Sequence, residues 1–381
     1  MITTRQIPSA LRVLHIIVPQ REGATGGADL HVLDLATAQQ QAGDTEPSIL
    51  APRASRDYLQ RLSAAGLEVL SPGLLRLGRY RDLPRVRDIQ LIHAHGYEAN
   101  YLVAAMRAMC HRWRRTPLVI TAHGWIETTL WLRFKSRLDQ HCGALADVRI
   151  ATAARHAPRL HASAGVVMVI PNGVPNPGRQ LALPGTRASI RRSLGVPPKA
   201  TIIGSVGRLA PEKRVDLLLA TARLLAPEYP DIHVLVVGGG DQRAELTALA
   251  HRLGISRKVT FTGLLHNVTP ALIAMDVLIQ ASDTEGTPRS VLEAMAHHLP
   301  IVATDVGGLA EVLDYGRCGE LVPPGNAGLL ANAVKHLLAD PQRIQNLIRR
   351  ARSRYECFFT IEIMRSRVTE AYRRACPPSV Y

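Results

Sequence analysis

Short apolar runs alternate with longer stretches in which apolar residues recur at helical spacing, and the alternation persists along most of the chain. LRVLHIIVP (11–19), IQLIHAHG (89–96), PLVITAHG (117–124) and VVMVIPNGV (166–174) have the shape of strands. DLHVLDLATAQQQAG, after the first of them, is an amphipathic helix that ends at Gly43. Around 175–200 the rhythm stops: PNPGRQLALPGTRASIRRSLGVPPKA is rich in Pro and Gly, without a sustained period, and reads as a linker. It restarts with TIIGSVG (201–207), IHVLVVGGG (232–240), KVTFTG (258–263), DVLIQAS (276–282), PIVATDVGG (300–308) and GELVPPG (319–325). Runs such as VLVVG are apolar throughout, which suits strands covered by helices on both faces. Strands alternating with helices build parallel sheets. The expected class is α/β, as two doubly wound lobes facing across a cleft. Their expected bounds are 1–178 and 179–355, followed by a helix in 356–381 packing back on the first lobe.

Length agrees with two domains, since 381 residues exceed one typical core. Hydrophobic content of 46% and charged content of 20% suit a globular protein, and with aromatics at 4% the core must be aliphatic. No apolar run approaches the roughly 20 residues of a bilayer span. The N-terminal MITTRQIPSALRVLHIIVP lacks the shape of a signal peptide and behaves as a first strand. Five scattered cysteines without CxxC spacing argue against a disulfide framework or zinc knot and for a reducing cytoplasm. The 46 basic against 31 acidic side chains leave a formal +15, which favours an anionic partner: nucleic acid, phosphorylated substrate or acidic membrane.

Candidate chemistry begins at EGTPRSVLEAM (285–295), where Glu285 and Glu293 stand eight positions apart. Ligands of an open parallel sheet sit beyond the carboxyl ends of its strands, and SDTEGTP follows the strand DVLIQAS. Thr287 as N-cap and Pro288 as first residue predict a helix from Pro288, whose free amides attract an anion. The plain alternative is a local cap at Glu285 and a surface residue at Glu293. GSVGRLAPEKRVDLLL (204–219) adds a glycine turn with Gly207, then Arg208 and Lys213 around a second helix start, which suits a diphosphate. GATGGADL (23–30) places Gly26 and Gly27 before a helix without following GxGxxG, so a dehydrogenase-type dinucleotide site is poorly supported.

SDTEGTPRSVLEAMAHHLPIVATDVGGLAEVL strongly resembles the signature of the retaining GT-B glycosyltransferases of family 4, the glycosyltransferase group 1 family. GGADLHVLDLA, HAHG, TAHG, IPNGV, GRLAPEKRVDLLL and GELVPPGN extend the resemblance over most of the chain in order. It implies the GT-B form of two Rossmann-like lobes and an EC 2.4 hexosyltransferase that moves a sugar from a nucleotide diphosphate sugar to an acceptor hydroxyl with retention. The resemblance casts Arg208 and Lys213 as holders of the diphosphate, and the Gly27 amide as a contact to the same phosphates. Glu293 would accept from the ribose and Glu285 from the donor sugar, while Gly286, Thr287, Pro288 and Arg289 line sugar and phosphate. His123 in TAHG matches a histidine that contacts the donor sugar, and His95 in HAHG is an acceptor-side candidate whose alternative is a satisfied strand-end histidine. The base would meet the backbone near Gly263 and Leu264. Without an Asp-x-Asp pair no metal-bound diphosphate is expected, and no cofactor beyond the co-substrate. One departure stands out: His298 replaces the family's usual glycine, and would be strained if that position demands positive φ.

The positive charge concentrates in the first lobe. RLGRYRDLPRVR (76–87) and RAMCHRWRR (107–115) are arginine-rich. WIETTLWLRFKSRL (125–138) sets Trp131, Phe134 and Leu138 at helical spacing with Arg133, Lys135 and Arg137 between them. Such a helix suits an anionic membrane interface, and its alternative is a helix whose apolar stripe is core. The expectation is a peripheral enzyme at the inner face of the cytoplasmic membrane, acting on a lipid-linked or saccharide acceptor in cell-surface polysaccharide or glycolipid synthesis. Rival readings are a nucleotide-sugar epimerase on the same architecture and a nucleic-acid-binding protein. The latter is disfavoured because the arginines are not interleaved with stacking aromatics.

Overall fold

The computed structural model describes residues 10–19, 26–70, 88–124, 130–160, 165–178 and 186–376. The chain divides into a first unit, Met1–Asn172 with Ile361–Tyr381, and a second unit, Gly173–Thr360.

The first unit holds a seven-stranded parallel sheet of β1 (Leu11–Ile17), β2 (Thr45–Leu50), β3 (Glu68–Leu70), β4 (Leu91–His95), β5 (Leu118–Ala122), β6 (Val148–Ala151) and β7 (Val166–Val169), in the order β3-β2-β1-β4-β5-β6-β7. The order reverses between β1 and β4, the switch point where such sheets place ligands. Successive side chains of a strand point to opposite faces. Leu14, Ile16, Ile92 and Ala94 therefore pack in one cluster with Ala99 and Val103 of the helix Tyr97–Met109. Leu11, Val13 and Leu91 pack in another with Met364, Val368 and Tyr372 of the C-terminal helix Ile361–Ala375.

The second unit repeats the winding with β8 (Thr201–Val206), β9 (Ile232–Val237), β10 (Val259–Gly263), β11 (Val277–Gln280), β12 (Ile301–Thr304) and β13 (Glu320–Val322), in the order β10-β9-β8-β11-β12-β13. Its switch point lies between β8 and β11. Two aliphatic clusters cover the sheet: Ile202, Leu278 and Ile301 belong to one, and Ile203, Ile279 and Val302 to the other.

Three expectations are corrected. The division falls after Asn172 and after Thr360, in place of 178 and 355. The reason is that fully buried Val174 bridges Thr360, donates its amide to the Phe359 carbonyl and accepts from the Tyr355 hydroxyl at 2.9 Å. Part of the linker is a helix, Thr186–Ser193, held by arginines: Arg187 and Arg191 both reach Asp276, at 2.7 and 2.8 Å. The helix after Glu285 begins at Arg289, with Pro288 itself extended at the N-cap (φ −71°, ψ 124°) and Thr287 buried before it.

The basic stretch 76–87 lies outside the described residues. In the other, Arg107 and Arg114 spend their donors on carbonyls of Ala108, Trp113, Thr116 and Leu145 and on each other's backbone. Those charges bind the turn between two helices together.

Candidate active site

In the second unit, Glu285 follows β11 in an irregular loop and is only 8% exposed. A buried carboxylate needs charge and hydrogen bonds, and three donors converge on its Oε1. They are Lys213 Nζ at 2.7 Å, Gln280 Nε2 at 2.5 Å and Ser282 Oγ at 2.6 Å. Ser290 Oγ in turn donates to Gln280 Oε1 at 3.0 Å, and Thr304 Oγ1 to the Ser282 carbonyl at 2.6 Å. The backbone is fixed from the other side. Gly308 donates its amide to the Glu285 carbonyl, and a Cβ on Gly307 (φ +53°) would lie 1.8 Å from that same oxygen. Only glycine fits there. Among the described residues no donor reaches Glu285 Oε2.

Lys213 closes a single 3-10 turn, Pro211–Lys213, that follows β8. Arg208, in the same connection, donates to Glu212 Oε1 at 2.5 Å and stays 44% exposed. The two cations thus sit in one loop, each with a carboxylate partner: Glu285 for Lys213, Glu212 for Arg208. The turn is seated tightly on the glycines after β9, since Gly207 accepts no side chain on Gly238 and Leu209 none on Gly240. Glu293, one helical turn beyond Arg289, pairs with it at 3.1 Å. Leu264 is exposed beside Gly263 and packs over Gly239. Glu285, Lys213, Gln280, Ser282 and Ser290 form one hydrogen-bonded group. Gln280, Ser282, Ser290 and Glu212 were not singled out in the sequence. The alternation QAS at the end of β11, putting Gln280 and Ser282 on one side, was the available signal. His298, as the departure from the family predicted, has φ +57°.

In the first unit, His95 ends β4 and His123 follows β5, and they do not stand alone. His15 of β1, His93 of β4 and His31 of the helix Gly27–Ala42 complete a cluster at the β1/β4 switch. Ring centres of His95 lie 4.0 Å from His93, 5.4 Å from His15, 5.5 Å from His31 and 5.8 Å from His123. Burial pushes His15 and His123 down to about 4 and lowers His93 and His95 as well, so these four rings are neutral at pH 7. The sequence showed the pattern in LIHAH, where two histidines two apart must share a strand face. No metal-ligating set was expected, yet two histidine triads, His15–His93–His95 and His31–His95–His123, bring their ring nitrogens within 4.8 Å of one another. Gly27 opens its helix, behind Gly26, whose amide is held by Asp29 at 2.7 Å.

The helix Leu130–Gly143 inverts the usual amphipathic arrangement. Ser136 and Asp139 are buried, and Asn100 donates to Asp139 at 2.6 Å. Phe134 and Leu138, one turn apart, are 56% and 42% exposed. They are not the core stripe that the alternative reading required; the side chain of Trp131 lies outside the described residues. Among the described residues no helix is long and apolar enough to cross a membrane.

Comparison with known families settles the assignment. Residues 25–176 match the model for Glycosyltransferase Family 4, and residues 186–354 that for Glycosyl transferases group 1. The chain belongs to the group 1 glycosyltransferases. Among curated relatives, it is 34% identical over 204 residues to 2-deoxystreptamine glucosyltransferase of Streptomyces kanamyceticus, covering 53% of this chain and 52% of the relative. It is 32% identical over 296 residues to D-inositol 3-phosphate glycosyltransferase of Nocardia farcinica, covering 71% and 63%. The chain therefore spans about half the length of the first of these group 1 relatives. The fold is that of the GT-B glycosyltransferases: HepE of Anabaena, solved in complex with UDP-glucose, superposes with a TM-score of 0.82 over 95% of this chain and 99% of its own, at 22% identity.

Proposed function

We propose that the protein transfers a hexosyl group from a nucleoside-diphosphate sugar to an acceptor hydroxyl, with retention of anomeric configuration. The observation that carries this reading is the asymmetric coordination of Glu285. Three protein donors hold Oε1, which leaves Oε2 to accept from a sugar hydroxyl. The Lys213 ammonium has three protons and spends one on Glu285; the Arg208 guanidinium has five and spends one on Glu212. Their remaining donors take the diphosphate and stabilise the charge that grows on it as the glycosidic bond breaks, usually a large catalytic contribution. Glu293 takes the ribose hydroxyls, Gly286 to Arg289 line the phosphates and sugar, and Leu264 lies beside the base. With two side-chain cations meeting the diphosphate, the leaving group needs no divalent ion. The departing phosphate itself, on the same face of the sugar, takes the acceptor proton.

UDP-glucose is the first donor to try, on the strength of HepE. The test is release of nucleoside diphosphate with and without acceptor alcohols, and the anomeric configuration of the product by NMR. Release only with acceptor, and a product of retained configuration, supports transfer. Release without acceptor supports an epimerase, and inversion overturns the same-face route.

The acceptor side is assigned to the first unit. Exposed Phe134 and Leu138, flanked by Lys135 and Arg137, support a peripheral seat on an anionic leaflet and a lipid-linked acceptor. Sedimentation with vesicles containing anionic lipid at low salt tests this; a chain that stays in the supernatant removes it.

A further inference from the structure

The two histidine triads share His95, and hydrogen bonding separates them. Gln39 Nε2 donates to the Tyr372 hydroxyl at 3.1 Å. Both nitrogens of His93 are taken by hydroxyls, Nδ1 by Tyr372 and Nε2 by Thr121, each at 2.7 Å. Gln39 Oε1 is left to accept from His15 Nε2 at 2.9 Å, so His15 Nδ1 is the bare nitrogen and accepts from His95 Nε2 at 3.1 Å. Every nitrogen of His15 and His93 is spent. The chain of donors ends by fixing His95 as the Nε2–H tautomer, with a lone pair on Nδ1.

That lone pair has no hydrogen-bond partner among the described residues, although His95 is 3% exposed. His123 Nε2 is likewise buried without a partner. His31 donates Nδ1–H to Asn172 Oδ1 at 3.0 Å, which leaves its lone pair on Nε2. Ring centres of His31, His95 and His123 are 4.7, 5.5 and 5.8 Å apart. Three imidazoles on one tetrahedral ion, with metal–nitrogen bonds of about 2.0–2.1 Å, hold their ring centres roughly 5 Å apart.

We propose that His31, His95 and His123 form a binding site for one zinc-class divalent cation, with an open fourth position. Neutral imidazole is the form that ligates such ions. Metal-bound histidines characteristically donate their other ring N–H to a fixed acceptor, as His31 does to Asn172 and His95 to His15. The hydrogen-bonded row behind His95 is then the support that orients a ligand. This ion sits on the switch point of the first unit. The proposal stands whether or not the transferase reading holds.

The test is titration of the full chain, freed of metal by a chelator, with Zn²⁺ and with Co²⁺ as a spectroscopic probe. One equivalent should bind per chain. The cobalt form should show tetrahedral ligand-field absorption without a thiolate charge-transfer band, which excludes the five cysteines. His31→Ala and His123→Ala should each abolish the one-equivalent phase. Asn172→Ala should weaken it roughly 10–100-fold, the usual cost of losing an outer-shell partner. His251→Ala, at an exposed histidine, should leave it unchanged. If His31→Ala fails to fold by circular dichroism, His123→Ala decides, because His123 is only half-buried. Absence of a saturable equivalent, a thiolate band, or wild-type affinity in a folded His123→Ala would overturn the site.

Discussion

The two units wind their sheets alike and put their polar residues in the same place, yet the chemistry there is opposite. Beyond β8 and β11 stands an ion pair, Lys213 with Glu285, surrounded by Gln280 and Ser282. At β1 and β4 stand neutral imidazoles: His15, His93 and His95 are fully or almost fully buried, and one another, a glutamine, a tyrosine and a threonine take every ring nitrogen but Nδ1 of His95. Topology decides where a site can be, because reversal of strand order opens a crevice there; side chains decide what it binds. A buried ion pair survives only with extra hydrogen bonds, which is why the glutamate needs its amide and hydroxyl partners. A buried histidine row needs only correct tautomers.

The comparison can be broken most severely in the second unit. Lys213→Ala or Glu285→Ala should lower nucleoside-diphosphate release by about 10²–10³-fold, the scale of losing a preorganised transition-state partner, with circular dichroism unchanged. Full rates in both would remove the assigned roles. In the first unit, His93→Phe strands the Tyr372 and Thr121 hydroxyls in the core. It should cost roughly 2–4 kcal/mol in urea unfolding, since each buried unsatisfied group costs about 1–3 kcal/mol, while donor binding is unaffected.

The units can also be compared by pH. Burial, and then the nearby Lys258 charge, holds His233 of β9 down to about 4. The unfolded chain, with an ordinary value of about 6.5, binds the proton first. Stability is therefore full above pH 6.5 and falls as pH drops from there towards 4. His233→Gln should flatten that slope in melts recorded across the window; an unchanged slope would clear His233 of the effect. The smallest change is His298→Gly, which relieves a left-handed φ costing about 1–2 kcal/mol but adds unfolded-chain entropy. A gain of up to about 1 kcal/mol in thermal unfolding is expected.

Much of the fold was legible because apolar runs announce covered strands. β2, β6 and the helix Thr186–Ser193 escaped because charged residues or proline interrupt their pattern. β2 reads TEPSIL, and β6 reads VRIA with Arg149 buried. Arg149 fits only because Gly143 has no side chain: a Cβ there would lie 1.6 Å from its Nη2. No local pattern reveals such a pairing between residues of a helix and a strand. The glutamates, Arg208 and Lys213 could be named from motif and strand-end position. Which partner each would take could not, because Arg208 chooses Glu212 four residues on, while Lys213 crosses to Glu285 through the packing of two loops. The histidine cluster draws on three strands' connections and one helix, and its members look unrelated until the sheet order joins them.

The central claim is that the charged switch point of the second unit is the nucleoside-diphosphate site. Calorimetric titration of UDP-glucose into the wild type and Lys213→Ala tests it most directly. One binding site in the wild type, weakened about 10–100-fold in the variant as for loss of a charge-assisted hydrogen bond, is the predicted result. Equal affinity in the two proteins would contradict it.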